Sequence, residues 1–262
     1  MSALEQVLSR LGLLAPAFRA RECLRAAKWP RPPAKGPDGL PLPGRINMVR
    51  VVSHADWNDF YDTGAAAMAY FADITKEIGA PMSEARAILD WGCGCGRLAR
   101  HGPRFSAGVL YGFDIDAVNI AWMKKNLPGT YGVCGLSPPL DLKDASIDVA
   151  YGLSVFTHLS AERQREWLAE LGRVIAPGGA LILTFHDPVH RAATNLDSDA
   201  RLAAKGIDQT RAALEGTNYA ATVQSLDQIK AAAHGLFEAR AWRRSNETPF
   251  GQALAAFRRL PA

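Results

Sequence analysis

Ile88-Leu89-Asp90-Trp91-Gly92-Cys93-Gly94-Cys95-Gly96-Arg97 is the stretch on which the reading of this chain turns. A short apolar run, the pattern of a buried strand, ends in an acidic residue and passes into Gly-x-Gly-x-Gly ahead of a helical pattern. Glycines at that point let the backbone turn sharply and let a ligand approach it closely. A tight strand-to-helix connection has the same appearance. The nicotinamide and flavin fingerprint differs, having one more residue before its third glycine. A phosphate loop is excluded, because no Gly-Lys-Ser/Thr follows.

Working outward, Val109-Leu110-Tyr111-Gly112-Phe113 reads as a second strand ending in Asp114-Ile115-Asp116, with Asp114 22 residues after Gly92. An acid at that strand tip can accept hydrogen bonds from both hydroxyls of a ribose. Alternatively it caps the next helix, and Asp116 can cap while Asp114 binds. Further strands are expected at Ala87–Asp90, Thr130–Cys134, Ile147–Ser154 and Ala180–Phe185. Helices are expected at Arg97–Pro103, Ala117–Asn126 and Ala161–Ile175, the last stopped by Pro177-Gly178-Gly179. Strand and helix in alternation predict an α/β fold with a doubly wound parallel sheet. A helix at Ser225–Ala233 and strands at Phe237–Arg243 and Gln252–Arg258 close the chain.

Taken together, these motifs resemble the class I S-adenosylmethionine-dependent methyltransferases. Asp90-x-Gly92-x-Gly94-x-Gly96 is similar to their first motif and Asp114 to their second. Ser146-Ile147-Asp148-Val149-Ala150-Tyr151 and Trp167-Leu168-x-x-Leu171-x-Arg173-Val174-Ile175-Ala176-Pro177-Gly178-Gly179-x-Leu181 are similar to two later ones. The resemblance implies a Rossmann-like, doubly wound, seven-stranded sheet with its last strand antiparallel, and S-adenosyl-L-methionine as cofactor. It implies that Gly92, Cys93, Gly94 and Gly96 form the cofactor turn, with Asp90 beside it. Asp114 would hold the ribose, Ile115 would pack on the adenine, Gly135 and Leu136 would line the adenine edge, and Leu153 with Ser154 would flank the methionine part. One departure is visible: after the third strand the chain reads Cys134-Gly135-Leu136-Ser137-Pro138-Pro139, and the first acid is Asp141.

An acceptor hydroxyl has to lose a proton, and histidine suits that task near neutral pH. His158 and His186 follow the fourth and fifth strands, whose ends line the ligand crevice of an open α/β sheet, so they are the catalytic candidates. Either can instead be structural, His158 at a helix start and His186 in a loop. His54, in Ser53-His54-Ala55-Asp56-Trp57, reaches the site only if the N-terminal segment folds over it. Trp57, Phe60 and Tyr61 lie in a segment resembling one that closes over the cofactor in related enzymes. Their near-helical spacing equally describes a packing face.

The 262 residues are 48% hydrophobic, enough for a large α/β core and unlike a disordered chain. No uninterrupted apolar run is long enough to span a membrane, and the first residues do not read as a secretory signal. Cys93 and Cys95, one residue apart, suit neither a disulfide nor zinc, so no metal is expected and the four cysteines fit the cytoplasm. The net charge of +4 is uneven: residues 1–50 carry nine Lys/Arg against three acids, leaving the remainder slightly acidic.

We therefore divide the chain into a basic helical extension with a Pro-rich connector (1–45) and a main domain (46–262). Leu4, Val7, Leu8 and Leu11 have helical spacing in the extension, and Ile46–Val52 is strand-like at the start of the domain, ahead of a helix at Ala65–Ile78. A polar, Ala-rich insert over about 187–222 is expected to shape the acceptor pocket. Basic residues without interleaved aromatics argue against nucleic acid as a partner. The extension is expected to pack on its own domain or to touch a membrane surface or a partner peripherally. The order Asp38-Gly39-Leu40-Pro41-Leu42-Pro43, Ser53-His54-Ala55-Asp56-Trp57, Trp91-Gly92-Cys93-Gly94-Cys95-Gly96-Arg97 and Ser154-Val155-Phe156-Thr157-His158-Leu159 also resembles bacterial methyltransferases associated with glycosyltransferases. That likeness implies a small-molecule or glycan acceptor, with oxygen as the acceptor atom. A non-catalytic cofactor-binding scaffold in a glycan-assembly complex is the alternative.

Overall fold

The computed structural model describes residues 11–190 and 206–261. Leu4, Val7 and Leu8 of the expected first helix, and 191–205 of the insert, lie outside the described residues.

Seven strands form one sheet: β1 (Ala87–Trp91), β2 (Val109–Asp114), β3 (Thr130–Val133), β4 (Ile147–Gly152), β5 (Ile175–Phe185), β8 (Phe237–Arg243) and β9 (Ala253–Arg259). Their order is β3-β2-β1-β4-β5-β9-β8. β1 through β5 pair in parallel, and β9 runs antiparallel to both β5 and β8. The order reverses between β1 and β4, and such a switch point opens a crevice at the carboxyl ends of the strands.

Alternation along the strands sends side chains into two cores, one on each face of the sheet. Ile88, Val149, Tyr151 and Ile182 pack with Met68 and Phe71 of α3 (Trp57–Glu77) and with Ile120 and Met123 of α4 (Ala117–Asn126). Their strand neighbours Leu89, Ala150, Leu181 and Leu183 pack with Trp167, Leu168 and Leu171 of α5 (Ala161–Val174) and with Ile229 of α6 (Leu226–Ala233). A third cluster joins Ala26 of α1 (Leu14–Ala27) to Met48 and Val49 of α2 (Arg45–Val52), Phe60 and Cys95.

Several expectations need correction. Ile46–Val52 is helical and not a strand. Gly44 is extended as its N-cap, and Met48 and Val49, adjacent in sequence, are both buried, which one face of a strand cannot achieve. The aromatic stretch and the Ala65–Ile78 helix are one element, α3, capped by Asp56 through the N–H groups of Asn58 and Asp59. The expected helix at Arg97–Pro103 is a 3-10 segment, Ala99–Arg104, because Gly92, Gly94 and Gly96 take φ of 76°, 53° and 83° and defer its start. α5 ends at Val174, and Ile175 already pairs with Ile147. The next register pair is Val149 with Ala180, so Pro177-Gly178-Gly179 bulges from the sheet. The insert, in which no element was expected, contains β6 (Ile207–Thr210), which pairs antiparallel with β7 (Ala221–Gln224).

α3 lies against the glycine turn at Gly64, where a Cβ would come within 2.3 Å of the Arg97 carbonyl oxygen. Since that contact is backbone and cannot rotate away, Gly64→Ala should lower the free energy of unfolding in urea by about 1–3 kcal/mol. Unchanged stability would mean that the two elements separate freely.

Candidate active site

The crevice at the switch point is a cavity of about 650 Å³. Gly92 and Gly94 of the turn line it, and so does Asp114 at the end of β2 with Ile115 beyond it. Gly135 and Leu136 after β3, and Leu153, Ser154 and His158 after β4, complete the wall on the sheet side. The structure thus gathers into one space residues spread over 67 positions of the chain, because parallel strands deliver their carboxyl ends to one edge.

The turn is shaped by close approach. A Cβ on Gly92 would lie 2.3 Å from Val155 Cγ2, and one on Gly94 would lie 2.7 Å from Val51 Cγ2. Asp114 accepts the N–H of Gly94 at 2.8 Å through Oδ2 and the N–H of Asp116 at 2.8 Å through Oδ1. Burial raises the pKa of Asp114, and those two backbone donors oppose the rise. Each oxygen keeps a second lone pair, so the carboxylate can still receive a diol from the cavity. Asp116 caps α4 through the N–H groups of Val118 and Asn119.

Four expected site residues do not reach the cavity wall. Gly96 is a packing glycine whose Cβ would meet Leu127 Cδ1 at 2.3 Å. Cys93 and Cys95 are buried in two different clusters, and burial pushes both thiols up, keeping them neutral. Asp90 lies behind the turn, 3% exposed, with Oδ2 lacking a partner. Its burial, reinforced by the charge of Asp114, pushes its pKa up to about 8. His186 stacks on His190 at 4.0 Å, and burial beside His190 and His158 drives its pKa down to about 3. Nor do His54, Trp57, Phe60 and Tyr61 line the cavity. His54 Nε2 is 3.0 Å from Asp59, and Phe60 and Tyr61 are core. Asp141, the first acid after β3, is also away from it and exposed.

His158 does line the cavity. Its Nδ1 is 2.7 Å from the carbonyl oxygen of Ala220. A carbonyl only accepts, so Nδ1 carries the proton and Nε2 the lone pair. Burial lowers its pKa against that hydrogen bond, which keeps the ring neutral. Ala220 lies just before β7, so the insert hairpin selects this tautomer.

The insert contributes to the far wall, whose individual residues were not legible in the sequence. This wall is made by Phe18, Arg19 and Glu22 of α1, by Arg50 and Val51 of α2, and by Leu214–Tyr219 of the insert. Arg50 bridges Glu22 at 3.0 Å and Asp116 at 3.0 Å. Tyr219 donates its hydroxyl to Glu22 at 3.1 Å, and its ring packs on Phe18 at 3.9 Å between centroids, tilted by 31°. The Asn218 amide donates to the Arg50 carbonyl. The basic extension therefore packs on its own domain through these contacts. The strand-like look of 46–52 concealed Arg50; the acid–base pairing of Glu22 with Arg50 crosses 28 residues and leaves no local signal.

Residues 89–183 match the family model of a methyltransferase domain. Among solved structures, the chain is similar to an S-adenosylmethionine-dependent methyltransferase from Methanosarcina mazei, with 20% identity over 69% of this chain and 94% of that one, at a TM-score of 0.53. It is similar to another from Mesorhizobium loti, with 17% identity over 73% of this chain and 100% of that one, at 0.54. A Pyrococcus horikoshii protein matches at 14% identity over 81% of this chain and 98% of that one, at 0.57. At such identities the structural likeness is one of fold.

The buried Asp90 carboxyl has a consequence for stability. Its pKa is about 8 in the folded protein and near 3.8 in an unfolded chain, so between those values the folded state holds a proton that the unfolded state releases. Stability should therefore fall as pH rises through that window, by up to about 1.4 kcal/mol per pH unit. Urea unfolding of the ligand-free protein at pH 5 and pH 8 reads this, and Asp90→Asn should flatten the difference. An equal slope in both proteins would remove Asp90 as its source.

Proposed function

We infer that the chain is a class I S-adenosylmethionine-dependent methyltransferase, a reading supported by its fold and by the methyltransferase domain matched at residues 89–183. The acceptor and the division of labour in the site are inferred from that premise. The reaction we propose is transfer of a methyl group to an oxygen of a small-molecule or glycan acceptor. S-adenosylmethionine supplies an activated methyl group on a sulfonium, so the protein has to bind, align and deprotonate. Asp114 is assigned to the ribose hydroxyls, Gly92 and Gly94 to the close approach of the turn, Ile115, Gly135 and Leu136 to the adenine, and Leu153 and Ser154 to the methionine part. The fit rests on the side-chain-free turn, where a Cβ at either cavity glycine would collide, and on the spare lone pairs of Asp114.

The acceptor hydroxyl would give its proton to Nε2 of His158. The single observation that carries this assignment is the Ala220 carbonyl on Nδ1, which leaves a neutral ring with its lone pair on the other nitrogen at the cavity wall. His186 is not assigned the same task, since it lies off the wall. Support for a glycan-like acceptor comes from the Phe18–Tyr219 pair and the polar Thr217 and Asn218 on the far wall. The four free cysteines fit a cytoplasmic location, and no helix among the described residues is long and apolar enough to cross a membrane.

Calorimetric titration with S-adenosylmethionine and S-adenosylhomocysteine tests the cofactor site, and Asp114→Ala should abolish binding of both. His158→Gln should keep that binding while lowering methyl transfer to a hydroxyl acceptor by about 10²–10⁴-fold. Because burial holds the His158 pKa below its ordinary value of 6.5, the wild-type rate should stay level as pH falls to that value and decline only below it. Undiminished turnover in His158→Gln removes the base. Tight cofactor binding with no transfer to any hydroxyl in a panel of sugars overturns the oxygen acceptor and leaves the scaffold reading.

A further inference from the structure

Ser154 sits in the cavity wall with φ of 65°, a backbone conformation that side-chain-bearing residues seldom adopt. Three hydrogen bonds hold it there. Its N–H donates to Thr184 Oγ1 at 2.7 Å, Thr184 Oγ1 donates to Gln252 Oε1 at 2.7 Å, and Gln252 Nε2 donates to Ser154 Oγ. The loop after β4, the end of β5 and the residue before β9 are thereby closed into a ring.

The direction of each bond in this ring follows from donor counting. Thr184 is fully buried, so its hydroxyl proton needs an acceptor, and the Gln252 carbonyl oxygen is the one within reach. That contact turns the amide nitrogen of Gln252 towards Ser154. An amide nitrogen only donates, so Ser154 Oγ accepts there and its own proton is left for another partner. Ser154 lines the cavity, where that partner can be a ligand.

We propose that Gln252 is a positioning residue that fixes the Ser154 hydroxyl as a hydrogen-bond donor into the cavity, directed at the carboxylate of the cofactor's amino-acid end. The inference rests on the cofactor reading above. Of the charged groups at that end only the carboxylate accepts, the ammonium being a donor. Gln252 lies 98 residues from Ser154 in the chain and outside every motif of the glycine turn.

The test separates donor polarity from mere packing. Gln252→Glu preserves the size of the side chain and its bond from Thr184, but the second carboxylate oxygen accepts, so the Ser154 proton turns inward. Calorimetry with S-adenosylhomocysteine should give a dissociation constant about tenfold weaker in Ser154→Ala and in Gln252→Glu, a loss typical of a hydrogen bond to a charged group. The double variant should be no weaker than Ser154→Ala alone. 5′-Methylthioadenosine, which lacks the amino-acid end, should bind all four proteins equally. Circular dichroism of each variant checks that it is folded, and Ser154→Ala, which only shortens a wall side chain, keeps the proposal testable should Gln252→Glu fail to fold. Ser154→Ala binding S-adenosylhomocysteine as tightly as wild type overturns the proposal. So does a Gln252→Glu loss that persists in full on the Ser154→Ala background, or an equal loss for methylthioadenosine. Failure of the wild-type protein to bind either compound would instead strike the cofactor reading itself.

Discussion

Asp114 takes the N–H of Gly94 on one oxygen and that of Asp116 on the other, and much of the site hangs from those two bonds. The first fixes the glycine turn against the end of β2. The second sets the start of α4, where Asp116 caps the helix and also pairs with Arg50, which in turn pairs with Glu22 of α1. One half-buried carboxylate therefore links the floor of the cavity to its outer wall. Burial raises its pKa, and the two backbone donors oppose that rise.

Close packing imposes the second constraint. The turn carries no side chains where Val155 and Val51 press on it, and α3 carries none where Gly64 meets the Arg97 backbone, so α2, α3 and the loop after β4 can approach it together. Cys93 and Cys95 fill the spaces beneath, one towards the sheet and one towards α2. What reads as a Cys-x-Cys pair is in this fold two separate packing residues. The glycines are likewise divided, with Gly92 and Gly94 at the cavity and Gly96 given over to Leu127.

Polarity in the cavity is set from a distance. His158 receives its tautomer from Ala220, and Ser154 its hydrogen-bond direction from Gln252, through partners 62 and 98 residues away. Both partners belong to the C-terminal third, which supplies no residue of the glycine turn. The sheet brings them in because β9 inserts antiparallel between β5 and β8, and because the insert hairpin docks beside the loop after β4.

The parallel sheet, its order of strand and helix, the glycine turn and Asp114 were all legible along the chain. Each of these is written in a local pattern: apolar runs of strand length, glycines at a sharp turn, an acid at a strand tip. The sequence did not determine α2, whose Ile46, Val49, Val51 and Val52 look strand-like until Met48 and Val49 find Phe60 and Ala26 to pack against. Nor did it separate His158 from His186, two histidines with the same placement after a strand. Only the tertiary structure gave one a cavity and a carbonyl on Nδ1 and left the other stacked on His190. Backbone geometry and periodicity act over a few residues and leave a trace in order of sequence. Burial, ion pairing and hydrogen-bond direction depend on neighbours that only the folded chain brings together.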